Sequence, residues 1–258
     1  MLASWEYAYQ YQLNRLFGQS TLNDPMALFM IIIFLIAGIF LIGMIRALYQ
    51  NYIAVEAIET LLFLIGMLCL LIGVVFNVFR KLSYSTWGAP ELGDILYLIT
   101  NFSVLAGILC VDAFSVRVTF PEHFKAIFSF VLTITPIFLG ILIWAVIQGP
   151  PNAHIVNFEV AISFEMNIIR NIFVLPICAI PATLFLYYAI KIRKENKPNS
   201  SRSFWLGMGV IFFDLAVLVP QYDIELNFFQ IFFLPAAITF YVCFSMPDWF
   251  KRKIEWPK

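Results

Sequence analysis

Long apolar stretches alternate with short polar segments along the chain. A spanning α-helix needs about 20 predominantly apolar residues. Seven stretches meet this length, at about residues 25–48, 57–79, 92–116, 124–147, 161–190, 204–219 and 227–246. The pattern predicts an all-α membrane protein, a bundle of seven transmembrane helices that occupies residues 25–246.

Two flanking segments differ from the spans. Residues 1–24 are rich in aromatic and polar side chains, among them Trp5, Tyr7 and Tyr9, without the apolar core of a secretion signal. Such residues suit the headgroup layer, so we expect an extracytoplasmic interfacial segment there. Residues 247–258 predict a basic cytoplasmic tail.

Composition supports a membrane location. The chain is 62% hydrophobic and 12% charged, against about 45–50% and about 25% in soluble domains. The net charge is zero, which gives no field that attracts nucleic acid. We therefore expect membrane lipid as a partner and no nucleic acid.

Basic residues predict the orientation. Cytoplasmic loops carry an excess of Lys and Arg. With seven spans, twelve of the sixteen basic residues fall on the side of the tail. That side includes the loop at residues 191–202, which holds Lys191, Arg193, Lys194, Lys197 and Arg202. The N-terminus is then outside, the C-terminus is cytoplasmic, and the location is the cell membrane.

Catalytic and metal sites are not indicated. The two histidines, His123 and His154, both lie between spans, and Cys69, Cys110, Cys178 and Cys243 form no metal-binding motif. No nucleophile, metalloprotease or phosphate-binding motif is present. We expect no enzyme activity, no metal and no cofactor.

The arrangement of spans, loops and tail resembles the seven-helix membrane modules of prokaryotic sensors, such as those joined to histidine kinases. The seventh span leads directly into a basic segment, Met-Pro-Asp-Trp-Phe-Lys-Arg-Lys at residues 246–253. In those sensors a cytoplasmic output domain follows, whereas this sequence ends at Lys258. The resemblance implies a separate signalling partner that contacts residues 191–202 and the tail. The chain is not a retinal rhodopsin, because residues 227–246 contain no lysine.

Charges inside the spans mark the predicted site. Arg170 in the fifth span and Asp214 in the sixth lie at similar estimated depths in the outer half of the bilayer. Intramembrane charges are expensive and tend to pair or to mark function. We expect the two side chains to meet, as a structural ion pair or as part of a ligand site.

Four asparagines extend this outer-half polar cluster. Asn167 and Asn171 flank Arg170, and Asn77 and Asn101 lie near the outer ends of the second and third spans. Simple interhelical hydrogen bonding is the competing interpretation. Asp112 is expected near the cytoplasmic end of the third span, in contact with Arg117 or water.

The sequence leaves three functions open. A receptor-like or sensor-like protein that binds a ligand, lipid or partner is the first interpretation. A small-solute transporter is the second, favoured by Pro176, Pro181 and Pro235 as expected kinks and opposed by the absence of matching prolines in the first three spans. A structural subunit of a membrane complex is the third. Between spans four and five, the alternation around residues 156–160 is typical of either a short hairpin or an early helix start.

Overall fold

The computed structural model describes residues 25–85, 90–148, 153–156, 159–162, 164–218 and 229–256. The predicted interfacial segment at residues 1–24 lies outside the described residues. Within them the chain is helical apart from one two-stranded hairpin. The helices are α1 (Pro25–Val55), α2 (Ile58–Ser85), α3 (Pro90–Thr119), α4 (Phe124–Gln148), α5 (Phe164–Lys191), α6 (Lys197–Leu218), α7 (Phe233–Ser245) and α8 (Asp248–Lys253).

Local signals set several helix boundaries. Pro25 and Pro90 begin α1 and α3, where the missing N–H of proline has no helical partner to lose. Met246 adopts a left-handed conformation (φ 49°) after α7, and Pro247 follows it. That pair ends α7 and lets α8 start at Asp248, whose carboxylate suits the first turn of a helix.

Six of these segments are long and apolar enough to cross a bilayer, by length and composition. The chain is a multi-pass membrane protein on this evidence. The seventh apolar segment, Phe229–Ser245, is shorter and combines a 3₁₀ turn with α7. The sequence predicted a kink at Pro235 inside a long helix. Pro235 instead lies in the first turn of α7, where it interrupts no long helix.

The predicted loop at residues 191–202 is wrong in its second half. Residues 197–202 belong to α6, and only residues 192–196 connect α5 to α6. Asn196 caps the helix by accepting a hydrogen bond from the Asn199 N–H at 3.1 Å, and Pro198 lies in the first turn. This start signal places Lys197 and Arg202 on a helix rather than in a loop.

Consecutive helices pack into a ring. Contacts join α1 to α2, α2 to α3, α3 to α5, α5 to α6, α6 to α7 and α7 back to α1. Helix α4 packs against α3 and α5 from outside this ring, and it is the least buried of the six long segments. The largest described core cluster fills the ring, and two cavities lie within it.

Helices α2 and α3 make the closest contact in the ring. An added Cβ at Gly66 would stand 3.0 Å from the Gly107 carbonyl oxygen, and one at Gly107 would stand 2.8 Å from Leu70. Small residues at such crossings let two backbones approach and gain packing contacts. The pair therefore forms a rigid side wall for the cavities.

A hairpin lies between α4 and α5. Strand β1 (Ala153–Val156) pairs antiparallel with β2 (Glu159–Ile162), with Ala153 opposite Ile162 and Val156 opposite Glu159. The strand-like alternation in this segment thus reflects a hairpin. An early start of the fifth helix, the alternative interpretation, is wrong, because α5 begins at Phe164.

Candidate functional site

The main cavity lies between α1, α2, α3, α6 and α7. Its volume is about 50 Å³, several times the space that one water needs. Apart from Asn77 and Thr100, its walls are apolar or glycine. The apolar lining consists of Phe34, Ala37, Leu41, Leu70, Gly73, Val74, Val104, Phe213, Phe233, Ala236, Ala237 and Phe240.

One end of this cavity is polar. The Thr100 hydroxyl is buried and has no hydrogen-bond partner among the described residues. Asn77, also on the wall, accepts a hydrogen bond through Oδ1 from Arg80 Nη2 at 2.7 Å. The Arg80 guanidinium in turn lies over the Tyr97 ring at 5.3 Å. A ligand in the cavity could therefore hydrogen-bond to the Thr100 hydroxyl, near the Asn77 amide that Arg80 holds in place.

A second, smaller cavity adjoins the first. It measures about 20 Å³, and Leu70, Phe213 and Phe240 belong to both walls. Asp214 is the charged residue on its lining, and Pro181 of α5 faces it. Proline has no N–H to donate, so α5 lacks one backbone hydrogen bond at this level.

Asp214 belongs to a buried polar group that spans three helices. Its carboxylate accepts a hydrogen bond from the thiol of Cys178 on α5, which is fully buried. Asp112 on α3 lies close enough to interact electrostatically with Asp214. The Asp112 side chain is 0% exposed, and neither carboxylate oxygen has a hydrogen-bond partner among the described residues.

The expected contact between Asp112 and Arg117 is wrong. Arg117 Nε instead donates to Glu59 Oε1 on α2 at 2.6 Å, which ties the end of α3 to the start of α2. Asp112 lies seven residues before the end of α3 at Thr119, about 10 Å along the axis. It is therefore two turns inside the bundle rather than at the interface.

Two of the predicted site residues lie outside the part of the chain whose side chains are described. These are Asn167 and Arg170, so the pairing of Arg170 with Asp214 stays a prediction. The backbone gives their relative levels along α5. Cys178, which holds Asp214, follows Arg170 by eight residues, or about 12 Å of helix.

The other predicted residues occupy different positions. Asn77 lines the main cavity, whereas Asn101 donates through Nδ2 to the Tyr97 carbonyl of its own helix at 2.9 Å. Asn171 is 5% exposed, and both polar atoms of its amide lack partners within the described residues. Asp214 lines the second cavity. Asn77 and Asp214 thus stand in two cavities that share a wall.

Sequence reasoning did not assign three residues to this site. They are Thr100, which lines the main cavity, and Asp112 and Cys178, which interact with Asp214. All three are ordinary helical residues by type and spacing, and only the packing of the helices, such as that of α3 against α5, reveals their setting. One signal existed for Asp112: no Lys or Arg lies three or four residues away on its helix. An acid without such a neighbour in an apolar helix needs a tertiary explanation.

The tail end of the bundle, which carries α8, contrasts with this interior. Arg202 Nε donates to the Cys243 carbonyl at 2.8 Å, and its guanidinium lies 5.0 Å from the Phe244 ring and 5.9 Å from the Trp256 ring. Lys197 pairs with Glu255 at 2.6 Å. Phe250 and Ile254 are buried against the bundle. The basic tail is therefore packed onto the start of α6.

Among the described residues no group of three or more His, Cys, Asp or Glu side chains is arranged to hold a metal ion. The four cysteines are all free thiols. No protein-family model, curated protein or solved structure matches the chain. The function therefore has to be inferred from the cavities and the charges around them.

Proposed function

We propose that the chain is a sensor-like or receptor-like membrane protein that binds a small, largely apolar ligand between α1, α2, α3, α6 and α7. The observation that carries the proposal is the main cavity with its polar end at Thr100 and Asn77. Binding sites for small molecules are typically apolar, with few polar groups that fix orientation. A short alkyl segment with one polar atom matches both parts of the lining.

The proposed topology has seven spans in the cell membrane. The segment Phe229–Ser245 serves as the seventh, with the N-terminus outside and α8 in the cytoplasm. The distribution of Lys and Arg supports this orientation. Trp249 and Arg252, which are exposed on α8, would then face anionic headgroups or a signalling partner at the cytoplasmic surface.

Photolabelling tests the ligand site. A diazirine-bearing butanol, short enough for a cavity of about 50 Å³, is added to the protein in lipid nanodiscs and irradiated, and the labelled residues are located by peptide mass spectrometry. We expect labels on the cavity-facing residues of α1 and α7, and competition by plain butanol. Ala237→Val narrows the cavity by two methyl groups and should lower this labelling several-fold, whereas Ala179→Val makes the same change on an exposed face of α5. Labels restricted to lipid-facing residues, equal in all three proteins, would contradict the proposal.

Cysteine labelling tests the orientation. Glu195 lies exposed in the connection between α5 and α6, whereas nearby Ser200 is buried and donates to the Ala189 carbonyl. A Glu195→Cys variant should react with an impermeant maleimide only after cells are permeabilised. The unaltered chain, with its four thiols, is the background control. Rapid labelling of intact cells would reverse the proposed topology.

A small-solute transporter is the second proposed function. It is favoured by the two prolines inside α5, Pro176 and Pro181, and by the carboxyl group of Asp214, which lines the second cavity together with Pro181. Transporters place binding sites near interrupted helices at the middle of the bilayer. Butanol binding that saturates without any solute flux in proteoliposomes would favour the sensor over the transporter.

A further inference from the structure

Asp112, Cys178 and Asp214 interact inside the bundle and bring two carboxyl groups into a setting that opposes charge. Asp112 is completely buried, and its two carboxylate oxygens are without hydrogen bonds in the described part of the chain. An ionised carboxylate in an apolar interior is expensive unless it is paired and hydrogen-bonded. A second carboxylate nearby raises that expense, because like charges repel.

Among the described residues, no positively charged side chain from the surrounding helices reaches Asp112 or Asp214. From α5 the facing titratable group is the Cys178 thiol, which stays neutral while it donates to Asp214. The walls from α2, α6 and α7 at the second cavity are Met67, Leu70, Val210, Phe213 and Phe240. No described side chain of these three helices brings a positive charge to this wall.

The charged residues of the neighbouring helices lie elsewhere. On α2 they are Glu59, Arg80 and Lys81, at its two ends, and α7 contains none. On α1 and α4 they are Arg46, which is exposed, and Lys125, at the start of its helix. On α3 the tail-end charge is Arg117, which bonds Glu59. Arg170 of α5 lies about 12 Å along the axis from Cys178 and is the one alternative partner to be tested.

We propose that Asp112 and Asp214 form a proton-binding pair inside the bundle that holds at least one proton at neutral pH. A carboxylate and a proton combine to a neutral carboxyl group, which removes the charge and supplies an O–H donor. The second cavity beside Asp214 has room for one water, through which a proton can reach the pair. Loss of the proton would charge a wall shared with the main cavity through Leu70, Phe213 and Phe240.

Infrared difference spectroscopy tests the pair directly, and it requires no ligand. A protonated carboxyl group has a C=O stretch that an ionised carboxylate lacks. In nanodiscs at about pH 7, where an exposed Asp is ionised, we expect such a band in the unaltered protein. Asp112→Asn and Asp214→Asn should each remove or shift it. Asp248→Asn should not, because that carboxylate is 93% exposed on α8.

Two results would overturn the proton-binding pair. One is the absence of a protonated carboxyl band at about pH 7, whether a metal cation or Arg170 neutralises the site. If Arg170 is the partner that neutralises the site, Arg170→Gln would produce a protonated-carboxyl band that the unaltered protein lacks. The other is a band that both Asp112→Asn and Asp214→Asn leave unchanged.

Stability against pH supplies the second measurement, in case one variant folds poorly. The folded pair holds a proton that the exposed aspartates of the unfolded chain have lost, so unfolding releases it. Stability should then fall as the pH rises above about 4, the ordinary pKa of an exposed Asp, until the folded pair itself loses the proton. Asp112→Asn should flatten this slope relative to Asp248→Asn. Equal slopes in the two variants would contradict the proposal.

Discussion

The tail end and the interior of the bundle treat charged groups in opposite ways. At the tail end, Arg202 meets a helix carbonyl and two aromatic rings, and Lys197 meets Glu255. In the interior, Asp112 has no hydrogen-bond partner among the described residues, and its charged neighbour is another acid. The first arrangement satisfies polar groups, and the second leaves them unsatisfied.

This difference is the one expected between charges that stabilise a fold and charges that serve a function. Proteins keep buried, unsatisfied polar groups where function requires them, and other parts of the structure compensate for the loss of stability. Substitution of a charged residue by an apolar residue of similar size should therefore change the free energy of unfolding in opposite directions at the two places. It should lower stability at the tail end and raise it in the interior.

Arg202→Met gives the largest expected effect. Methionine keeps most of the apolar stem but loses the hydrogen bond to the Cys243 carbonyl and the contacts with Phe244 and Trp256. Loss of a charged hydrogen bond and of cation–π contacts should lower the free energy of unfolding by about 2–3 kcal/mol. Unfolding by SDS in mixed micelles measures the difference.

Lys197→Met is the matched control at the same helix end. Its ion pair with Glu255 is 65% and 62% exposed, and such pairs contribute little. The change should stay within about 0.5 kcal/mol. If Lys197→Met were as damaging as Arg202→Met, the contacts of Arg202 with the helix end would not be what holds the tail.

Asp112→Leu should have the opposite effect and raise the free energy of unfolding. Leucine removes a carboxyl group that lacks hydrogen bonds and fills a similar volume in an apolar setting. Replacement of buried ionisable groups by apolar residues is often stabilising by about 1–4 kcal/mol, and we expect about 1–2 kcal/mol here. The same SDS titration measures it, with Asp112→Asn as the isosteric control. A loss of stability in Asp112→Leu would show that Asp112 is satisfied and would remove the contrast with the tail end.

Six of the seven predicted spans are helices long and apolar enough to cross a bilayer, because hydrophobic length is a property of local sequence. The predicted first span stopped near Leu48 where apolar residues end, but α1 continues to Val55 because no helix-breaking residue intervenes. The same reliance on apolar residues missed the start of α6 at Lys197, where Asn196 and Pro198 are the signal.

The site was less predictable because it depends on tertiary contacts. Asp214 was identified by its charge within an apolar run, and Asn77 by its depth. Asp112 was expected near the cytoplasmic end of its span, in contact with Arg117 or water, yet Arg117 contacts Glu59, 58 residues away. The orphan hydroxyl of Thr100 is detectable only when the neighbours of α3 are known.

Glu59→Gln tests a tail-end pair of intermediate exposure. The Glu59 carboxylate and Arg117 are 34% and 40% exposed, with the two atoms 2.6 Å apart. Solvent screening limits such a pair, so the loss should be about 0.5–1 kcal/mol and should shrink in high salt. SDS titrations at two salt concentrations measure both. A loss of several kcal/mol, independent of salt, would place this pair with the buried groups instead.

Glu56→Gly gives the smallest expected effect and marks where the tail end is not optimal. Glu56 joins α1 to α2 with φ 53°, a left-handed conformation that glycine adopts more easily than other residues. Its side chain is exposed, so little packing is lost. Relief of backbone strain outweighs the greater entropy of glycine in the unfolded chain, and we expect a gain of about 0.5 kcal/mol. Glu195→Gly is the control, because Glu195 is an exposed position without a positive φ in the α5–α6 connection at the same end. It should lose stability by a similar amount. If both variants lost stability equally, the conformation at Glu56 would carry no strain, and the tail end would be satisfied in its backbone as well as in its charges.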